Sequence, residues 1–382
     1  MAEDASLELV FLGTGTSSSL PQIACLTAPP ESATPPCRTC LSTVTPAGKR
    51  NIRRNTSAAL RTTGRDGQPV TIVIDAGKNF QAAAVEWFPK YNLRKIDALL
   101  ITHAHADAMN GLDDLRGWTL RGAIQSHIDV YVSSDTFTEV KRSFPYLVSK
   151  EFASGGGDVP EFKWHIIEDR VPFEIGETGV KITPFAVHHG RLFTTSIVTS
   201  ASLASNPCNS CHSDAFEANG VTKTPSLEVL QPYISFGFKI QERLVYISDV
   251  SFIPEDVWPL LEPRTRADGT KERVSLAVLD CLRLRPHTSH VGLEDSIKLA
   301  KRIDASRTYL TGFGHEVSHD EYVQLGKILG GASFDAAELT QCEMEGLKLI
   351  GEERGQWVRP SYDGLQVFTS ADGLTVEDSD DR

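Results

Sequence analysis

The feature that most constrains this chain is an apolar segment that ends in regularly spaced polar side chains. Residues 96–102 (IDALLIT) have the composition of a buried β-strand, and His103, His105 and Asp107 follow at alternate positions. Imidazole and carboxylate groups at that spacing, on the turn that leaves a rigid strand, are suited to hold a metal ion. A solvent-facing polar turn is the competing interpretation, and the regular spacing disfavours it.

Other apolar segments also end in acidic or imidazole side chains. Asp75 follows VTIVI, Asp249 follows RLVYIS, and KITPFAV is followed by His188 and His189. A single Asp at the end of a strand is usually a turn or cap residue. Because the ends of several strands can meet at one edge of a sheet, we predict that these groups gather beside His103.

Short apolar segments rich in Val, Ile and Leu alternate with segments of helical periodicity, which predicts a layered α/β fold and no repeat array. We predict one domain over residues 1–370, with loop insertions near 26–50, 151–160 and 200–226 and a disordered acidic tail at 371–382. The predicted strands are 7–12, 70–75, 96–102, 128–133, 180–187, 234–240, 243–248, 275–280, 307–311 and 365–369. The predicted helices are 79–91, 134–144, 254–262, 292–304 and 318–329.

The charge of the chain limits the classes of partner. With 38 Lys and Arg against 50 Asp and Glu, the formal net charge is −12. This excess disfavours broad nucleic-acid binding but is compatible with a small anionic substrate held in a local site. The N-terminal segment has no basic region, and no apolar run reaches the roughly 18 residues of a membrane span, so we expect a cytoplasmic protein without membrane contact.

Three of the seven cysteines cluster near the N-terminus. Cys25, Cys37 and Cys40 have the spacing C-x11-C-x2-C, which in a reducing compartment favours a metal over a disulfide. Residues 208–212 (CNSCH) could also bind a metal, but no second pair of ligands lies nearby in the sequence, and their role stays open.

Together these motifs resemble the metallo-β-lactamase superfamily of metal-dependent hydrolases over nearly the whole chain. Within it, LGTGTS at 12–17, the cysteine cluster, GLDDLR at 111–116 and YDG at 362–364 resemble the branch of the cyclic phosphodiesterase of phosphonate breakdown. The resemblance implies a four-layer αββα sandwich with a metal site at its open edge. It also implies Zn²⁺ or Mn²⁺ at that site and leaves a homodimer open.

Matched position by position, the resemblance implies that His103, His105 and His189 hold one catalytic metal ion. Asp249 would be shared between two metal positions, and Asp107 would hold the second ion. Asp75 would support the loop from behind these ligands.

Two ligands of the second ion are absent from this sequence. Position 108 is Ala where the family motif H-x-H-x-D-H has His, and Gly312 stands where a late metal-binding His is usual. The paired loss favours a single catalytic ion, and a second site rebuilt from Asp107, Asp249 and His290 is the alternative.

The same resemblance implies a fourth ligand for the cysteine cluster. Three N-terminal cysteines and a His three residues beyond the late metal ligand bind a structural zinc in that branch. The equivalent set here is Cys25, Cys37, Cys40 and His315. The alternatives are that His315 is a displaced ligand of the catalytic ion, or that the thiols are buried without a metal.

The resemblance implies hydrolysis of a small or cyclic phosphodiester by a metal-bound hydroxide. Asp107 or Asp249 would orient the hydroxide, and His290 would protonate the leaving oxygen, unless it is only a capping or core imidazole. Competing functions are hydrolysis of a thioester, lactone or amide, and a zinc-stabilised binding protein without catalysis. A transfer-RNA-processing nuclease is disfavoured by the acidic net charge.

Overall fold

The computed structural model of this protein describes residues 6–32, 36–154, 158–192, 196–197, 228–229, 231–265, 268–269, 271–370, 372–373 and 376–381. The strands are β1 (Leu7–Gly13), β2 (Ser57–Thr63), β3 (Pro69–Ile74), β4 (Ala98–Leu100), β5 (Ile128–Val132), β6 (Phe162–Ile166), β7 (Phe173–Glu174), β8 (Lys181–Arg191), β9 (Ser196–Ile197), β10 (Glu228–Val229), β11 (Pro232–Ile240), β12 (Leu244–Ile247), β13 (Arg264–Thr265), β14 (Lys271–Glu272), β15 (Leu276–Asp280), β16 (Arg307–Thr311), β17 (Val358–Pro360), β18 (Gln366–Thr369) and β19 (Val376–Asp378).

Helices connect many of these strands. The α-helices are α1 (Ile23–Leu26), α2 (Arg38–Ser42), α3 (Phe80–Lys90), α4 (Ala106–Met109), α5 (Arg116–Thr119), α6 (Ser134–Ser143), α7 (Pro145–Val148), α8 (Trp258–Leu261), α9 (Leu293–Ile303), α10 (His319–Leu329) and α11 (Gln341–Ile350). Single turns of 3-10 helix lie at Lys49–Asn51, Leu112–Leu115, Leu120–Gly122 and Lys150–Phe152.

Two large mixed sheets organise the chain. The first has the strand order β19-β18-β1-β2-β3-β4-β5-β6, and β3 to β6 run parallel to one another. The second has the order β17-β16-β15-β12-β11-β8-β7, with β12, β15, β16 and β17 parallel. Most residues of the parallel strands are buried and apolar, as expected for strands covered on both faces.

The sheets pack face to face, and helices cover their outer faces. Leu60 of the first sheet and Tyr246 of the second belong to one apolar core between the sheets. Phe80 of α3 packs on the outer face of the first sheet, and Ile297 of α9 and Leu325 of α10 pack on the outer face of the second. The predicted four-layer αββα sandwich is therefore confirmed.

Several local predictions need correction. The acidic tail is not wholly disordered, because Val376–Asp378 pairs antiparallel with β18 and the buried Asp378 carboxylate accepts a hydrogen bond from the Tyr309 hydroxyl at 2.5 Å. The predicted helix at 254–262 is only one turn, at Trp258–Leu261. The loop near 26–50 contains the short helix α2, and much of the loop at 151–160 is irregular. The loop at 200–226 lies outside the described residues.

Helix α11 was not predicted, although its sequence carries a start signal. The Thr340 hydroxyl accepts a hydrogen bond from the backbone N–H of Glu343, whose carboxylate accepts one from the backbone N–H of Thr340. This reciprocal pair is a capping box, recognisable as T-x-x-E in the sequence. In the described part of the chain, every helix is too short or too polar to cross a bilayer.

Candidate metal centre

The predicted ligands meet at one edge of the sandwich, where strands of both sheets end. His103 and His105 lie on the turn after β4, and Asp75 follows the neighbouring β3. From the second sheet, His189 lies near the end of β8 and Asp249 lies two residues after β12. The topology thus brings together side chains that are far apart in the sequence.

Three imidazoles converge on a common point. Donor atoms of His103, His105 and His189 all lie within 4.8 Å of one another, and His105 Nδ1 is 3.2 Å from His189 Nε2. Two imidazole nitrogens bound to one tetrahedral zinc ion are about 3.3 Å apart, from Zn–N distances of about 2.0–2.1 Å. The spacing therefore fits two ligands of one cation.

Hydrogen bonds behind the imidazoles fix which nitrogen faces the centre. The Thr102 hydroxyl donates to Asp75 Oδ2 at 2.8 Å, so the Thr102 oxygen accepts from His103 Nδ1 at 2.7 Å. His189 Nδ1 donates to the Ser289 carbonyl at 2.8 Å. His103 Nε2 is left buried with no hydrogen-bond partner among the described residues, as expected of a nitrogen that ligates a cation.

The pKa values of His103 and Asp249 are shifted in the directions that favour cation binding. Burial lowers the pKa of His103 well below its usual value, which favours the neutral imidazole that metals bind. Burial alone would raise the pKa of Asp249, but His103, His189 and His290 together outweigh it and lower the pKa to about 2. Asp249 also belongs to a second group with His189 and His290, whose donor atoms lie within 4.8 Å of one another.

His290 is held by a buried carboxylate that sequence reasoning missed as a functional group. Asp280, the last residue of β15, accepts hydrogen bonds through Oδ2 from His290 Nδ1 at 2.8 Å and from the backbone N–H of Val250 at 3.1 Å. Burial lowers the pKa of His290, but Asp280, Asp249 and Asp107 together outweigh it and raise the pKa to about 9. Burial also raises the pKa of Asp280, to about 6.

The surroundings of Gly312 leave little room for a side chain at the position where the resemblance implies a late metal-binding histidine. The φ of Gly312 is +77°, and a Cβ at this position would lie 2.7 Å from Asp280 Oδ1. Asp280 therefore fills the space that a side chain at 312 would enter. The same carboxylate therefore holds His290 through Oδ2 and blocks a side chain at 312 through Oδ1.

Asp107 is near the grouped ligands but is not a member of either group: its charge acts on His105 and His290, and its Oδ1 is buried without a hydrogen-bond partner among the described residues. Its Oδ2 accepts a hydrogen bond from the Ser17 hydroxyl at 2.8 Å. The side chain of Ala108 is buried and offers no ligand. Within the described residues, the set predicted for a rebuilt second ion, Asp107 with Asp249 and His290, is not assembled.

The cysteine site is a separate cluster formed by Cys25, Cys37, Cys40 and His315. The sulfurs of the three cysteines lie 3.3, 3.5 and 3.7 Å from the same atom, His315 Nδ1. One nitrogen lone pair cannot accept three thiol hydrogens, whereas ligands of one tetrahedral zinc would be separated by about 3.6 Å. The cluster therefore has the geometry of a Cys₃His metal site, and His315 is not placed among the catalytic ligands.

Several residues of this centre carried no separate signal in the sequence. Thr102 and Ser289 contribute through hydrogen bonds to ligands, and a serine or threonine beside a motif is too common to single out. Asp280 could have been predicted as a site residue from the sequence. It stands at the end of an apolar strand, as Asp75 and Asp249 do. The CNSCH segment at 208–212 lies outside the described residues.

The chain resembles known proteins in sequence and in structure. Residues 70–206 match the model of the Beta-lactamase superfamily domain. An octanoyltransferase of Porphyromonas gingivalis is 26% identical over 188 residues, which cover 49% of this chain and 32% of that protein. The chain thus spans about a third of the length of this curated relative.

Solved structures match along nearly the whole chain. A crystal structure of a new diphosphatase from the PhnP family has a TM-score of 0.59 and 21% identity, covering 95% of this chain and 97% of that chain. The metallo-beta-lactamase fold protein YhfI from Bacillus subtilis has a TM-score of 0.51 and 11% identity, with 98% and 100% covered. Unliganded yeast PDE1 has a TM-score of 0.50 and 12% identity, with 95% and 99% covered. This chain therefore has the metallo-β-lactamase fold, and its residues 70–206 match the β-lactamase superfamily domain model.

Proposed function

We propose that this protein is a metal-dependent hydrolase of a small or cyclic phosphodiester, with one divalent cation at the three-histidine site of His103, His105 and His189. The observation that carries the proposal is the convergence of three imidazoles around the buried, unpartnered Nε2 of His103. Imidazole ligands favour zinc over magnesium or calcium, and manganese is the alternative metal. The choice of a phosphate ester is supported by the diphosphatase among the similar structures.

A divalent cation at this site supplies Lewis acidity, which acidifies water and stabilises the negative charge that develops on phosphoryl oxygens. The chain's own residues prepare the site. Thr102 and Ser289 hold His103 and His189 in the tautomer that presents Nε2 to the centre. Asp249 stays ionised and can accept a hydrogen bond from the attacking water.

His290 is the proposed proton donor to the leaving oxygen. Its Nδ1–H is bonded to Asp280, which fixes the ring, and the protonated imidazole then carries a second proton on Nε2. Its ring lies 4.8 Å from the ring of His189, centroid to centroid, so the donor stands beside the ligands. A raised pKa keeps this proton available near neutral pH.

We propose that the cysteine site holds a structural zinc. It connects α1 and α2 near the N-terminus with His315, which follows β16 and lies three residues after Gly312. A tetrahedral Cys₃His set has no open position for a substrate, which is typical of structural sites. The role of this zinc would be to fix the loop that carries Gly312 beside Asp280.

The substrate is proposed to be small and anionic, because the net charge of −12 disfavours a long polyanion. The competing class is an acyl ester, thioester or lactone cleaved at the same centre. The octanoyltransferase among the relatives is a reason to include an acyl substrate in every assay, although it matches only 49% of this chain.

The test is hydrolysis of bis-p-nitrophenyl phosphate and of a ribose cyclic phosphate, with a lactone and an octanoyl thioester as competing substrates. Wild-type protein should cleave the phosphodiesters, lose activity on chelation and regain it with Zn²⁺ or Mn²⁺. His103→Ala should be inactive but folded. The matched control is His127→Ala, since His127 is an exposed histidine paired with Asp129 at 3.4 Å, away from the centre. Full activity in His103→Ala would overturn the assignment, and cleavage of only the lactone or thioester would overturn the substrate class.

A further inference from the structure

One catalytic ligand differs from the other two in how its ring is held. His103 and His189 each donate their second ring nitrogen to a fixed oxygen, at Thr102 and Ser289 respectively. Nε2 of His105 has no hydrogen-bond partner among the described residues, and the side chain is the exposed member of the three. Metal-binding histidines almost always have such a partner, because it fixes the orientation of the ring. Solvent can bond this exposed nitrogen but does not hold it in one direction, so the protein contacts of the ring decide how His105 is oriented.

Tyr233, near the start of β11, provides that contact. Its ring is parallel to the His105 ring, with an angle of 4° between planes and 4.5 Å between centroids. The Tyr233 hydroxyl accepts a hydrogen bond from the backbone N–H of Ala104 at 3.2 Å. Ala104 lies between His103 and His105, so one tyrosine holds both the backbone between two ligands and the ring of the second ligand.

The support for Tyr233 comes from the second sheet. Phe236 lies on β11, three residues after Tyr233, and its backbone N–H donates to the carbonyl of Thr102 at 2.8 Å. Tyr233 and Phe236 thus fix the turn at Ala104 and at Thr102, the two residues that flank His103. The turn belongs to the first sheet, so β11 sets its position relative to His189 on the neighbouring strand β8.

We propose that Tyr233 is a positioning residue that orients His105 toward the cation, in place of the hydrogen bond that its Nε2 lacks. The inference rests on the proposed metal at the three-histidine site. Offset parallel stacking of aromatic rings is worth about 0.5–1.5 kcal/mol beyond burial, which is enough to select one ring orientation. Loss of the residues that orient metal ligands typically weakens metal binding about 10–100-fold.

The test uses Co²⁺ as a spectroscopic probe of the full-length protein, with affinity measured by competition with a chelator. Cobalt bound by nitrogen and oxygen lacks the intense thiolate charge-transfer absorption, so the three-histidine site and the cysteine site are read separately. Tyr233→Leu should bind Co²⁺ at the three-histidine site about 10–100-fold more weakly, with altered d–d absorption. Tyr233→Phe keeps the stacked ring but loses the hydroxyl that accepts from Ala104, so it should be impaired clearly less than Tyr233→Leu.

The matched control is Tyr131→Leu. Tyr131 stacks on His165 at 4.5 Å and 13°, the same geometry at a place outside the metal centre. This variant should leave the cobalt affinity and spectrum unchanged, whatever it costs in stability. Wild-type affinity and spectrum in Tyr233→Leu would overturn the inference, and so would a Tyr233→Phe variant as impaired as Tyr233→Leu. Absence of cobalt from the three-histidine site of the wild type would overturn the proposed function as well.

Discussion

Replacing Gly312 by Ala adds a single carbon at the position where the family resemblance implies a metal-binding histidine. Two costs arise in this structure. The backbone at Gly312 has φ +77°, a conformation that costs an L-residue about 1–2 kcal/mol. The new Cβ would also lie 2.7 Å from Asp280 Oδ1. Asp280 is fully buried and its Oδ2 holds His290 and Val250, so the carboxylate cannot turn away without breaking those bonds.

Overpacking of this kind typically adds about 1–3 kcal/mol. We therefore expect Gly312→Ala to lower the free energy of unfolding by about 2–5 kcal/mol, as the sum of the two costs. Gly67 supplies the control, because its φ is +76° and no atom lies within 4 Å of the place that an alanine Cβ would occupy there. Gly67→Ala should cost only the backbone portion, about 1–2 kcal/mol.

Both free energies can be measured by urea denaturation followed by circular dichroism, with metal removed. A double-mutant cycle separates the clash from the backbone cost: in an Asp280→Ala background, Gly312→Ala should cost no more than Gly67→Ala does in the wild type. If Gly312→Ala in the wild type costs no more than Gly67→Ala, Asp280 does not exclude a side chain at 312. The steric explanation for the missing ligand would then be wrong.

Three further predictions concern metal, proton transfer and pH. Cys37→Ser should lose one equivalent of zinc and unfold at a lower temperature, whereas Cys342→Ser should keep both equivalents, as elemental analysis would show. His290→Gln should lower kcat about 10²–10⁴-fold with a smaller change in KM, and should abolish the fall in rate that we expect in the wild type as pH rises through about 9; an unchanged pH profile would exclude His290 as the acid. Burial raises the pKa of Asp363 to about 7, so the folded protein keeps a proton that the unfolded chain releases near pH 4. The free energy of unfolding should therefore fall as the pH rises from about 4 to about 7, by up to about 1.4 kcal/mol per pH unit. Asp363→Asn should flatten that dependence in urea titrations, and an equal slope in both proteins would contradict it.

The sequence was informative wherever a short local pattern sufficed. The segments 275–280 and 307–311 were predicted to be buried strands, and strands occur there as β15 and β16. The spacing of His103 and His105 after a strand predicted the turn on which two of the three grouped imidazoles lie. These patterns depend only on neighbouring residues.

What sequence could not provide was contact between distant segments. Three contacts of the site join residues that are far apart in the sequence. They are the close approach of Asp280 to Gly312, the stacking of Tyr233 on His105, and the hydrogen bond from Ser17 to Asp107. The strand at 376–378 was missed because its acidic composition suggests disorder, while Asp378 in fact pairs with the Arg307 guanidinium at 3.5 Å. In each case the role of a residue depends on a contact with another element, which the local sequence does not reveal.

Whether the three imidazoles share one ion can be observed by anomalous X-ray scattering from crystals of the zinc-loaded protein, recorded on both sides of the zinc absorption edge. We predict two peaks per chain: one bonded to His103 Nε2, His105 Nδ1 and His189 Nε2, and one bonded to the three sulfurs and His315 Nδ1. A chain whose only zinc lies among the cysteines, with the three imidazoles bound to no ion, would contradict this prediction.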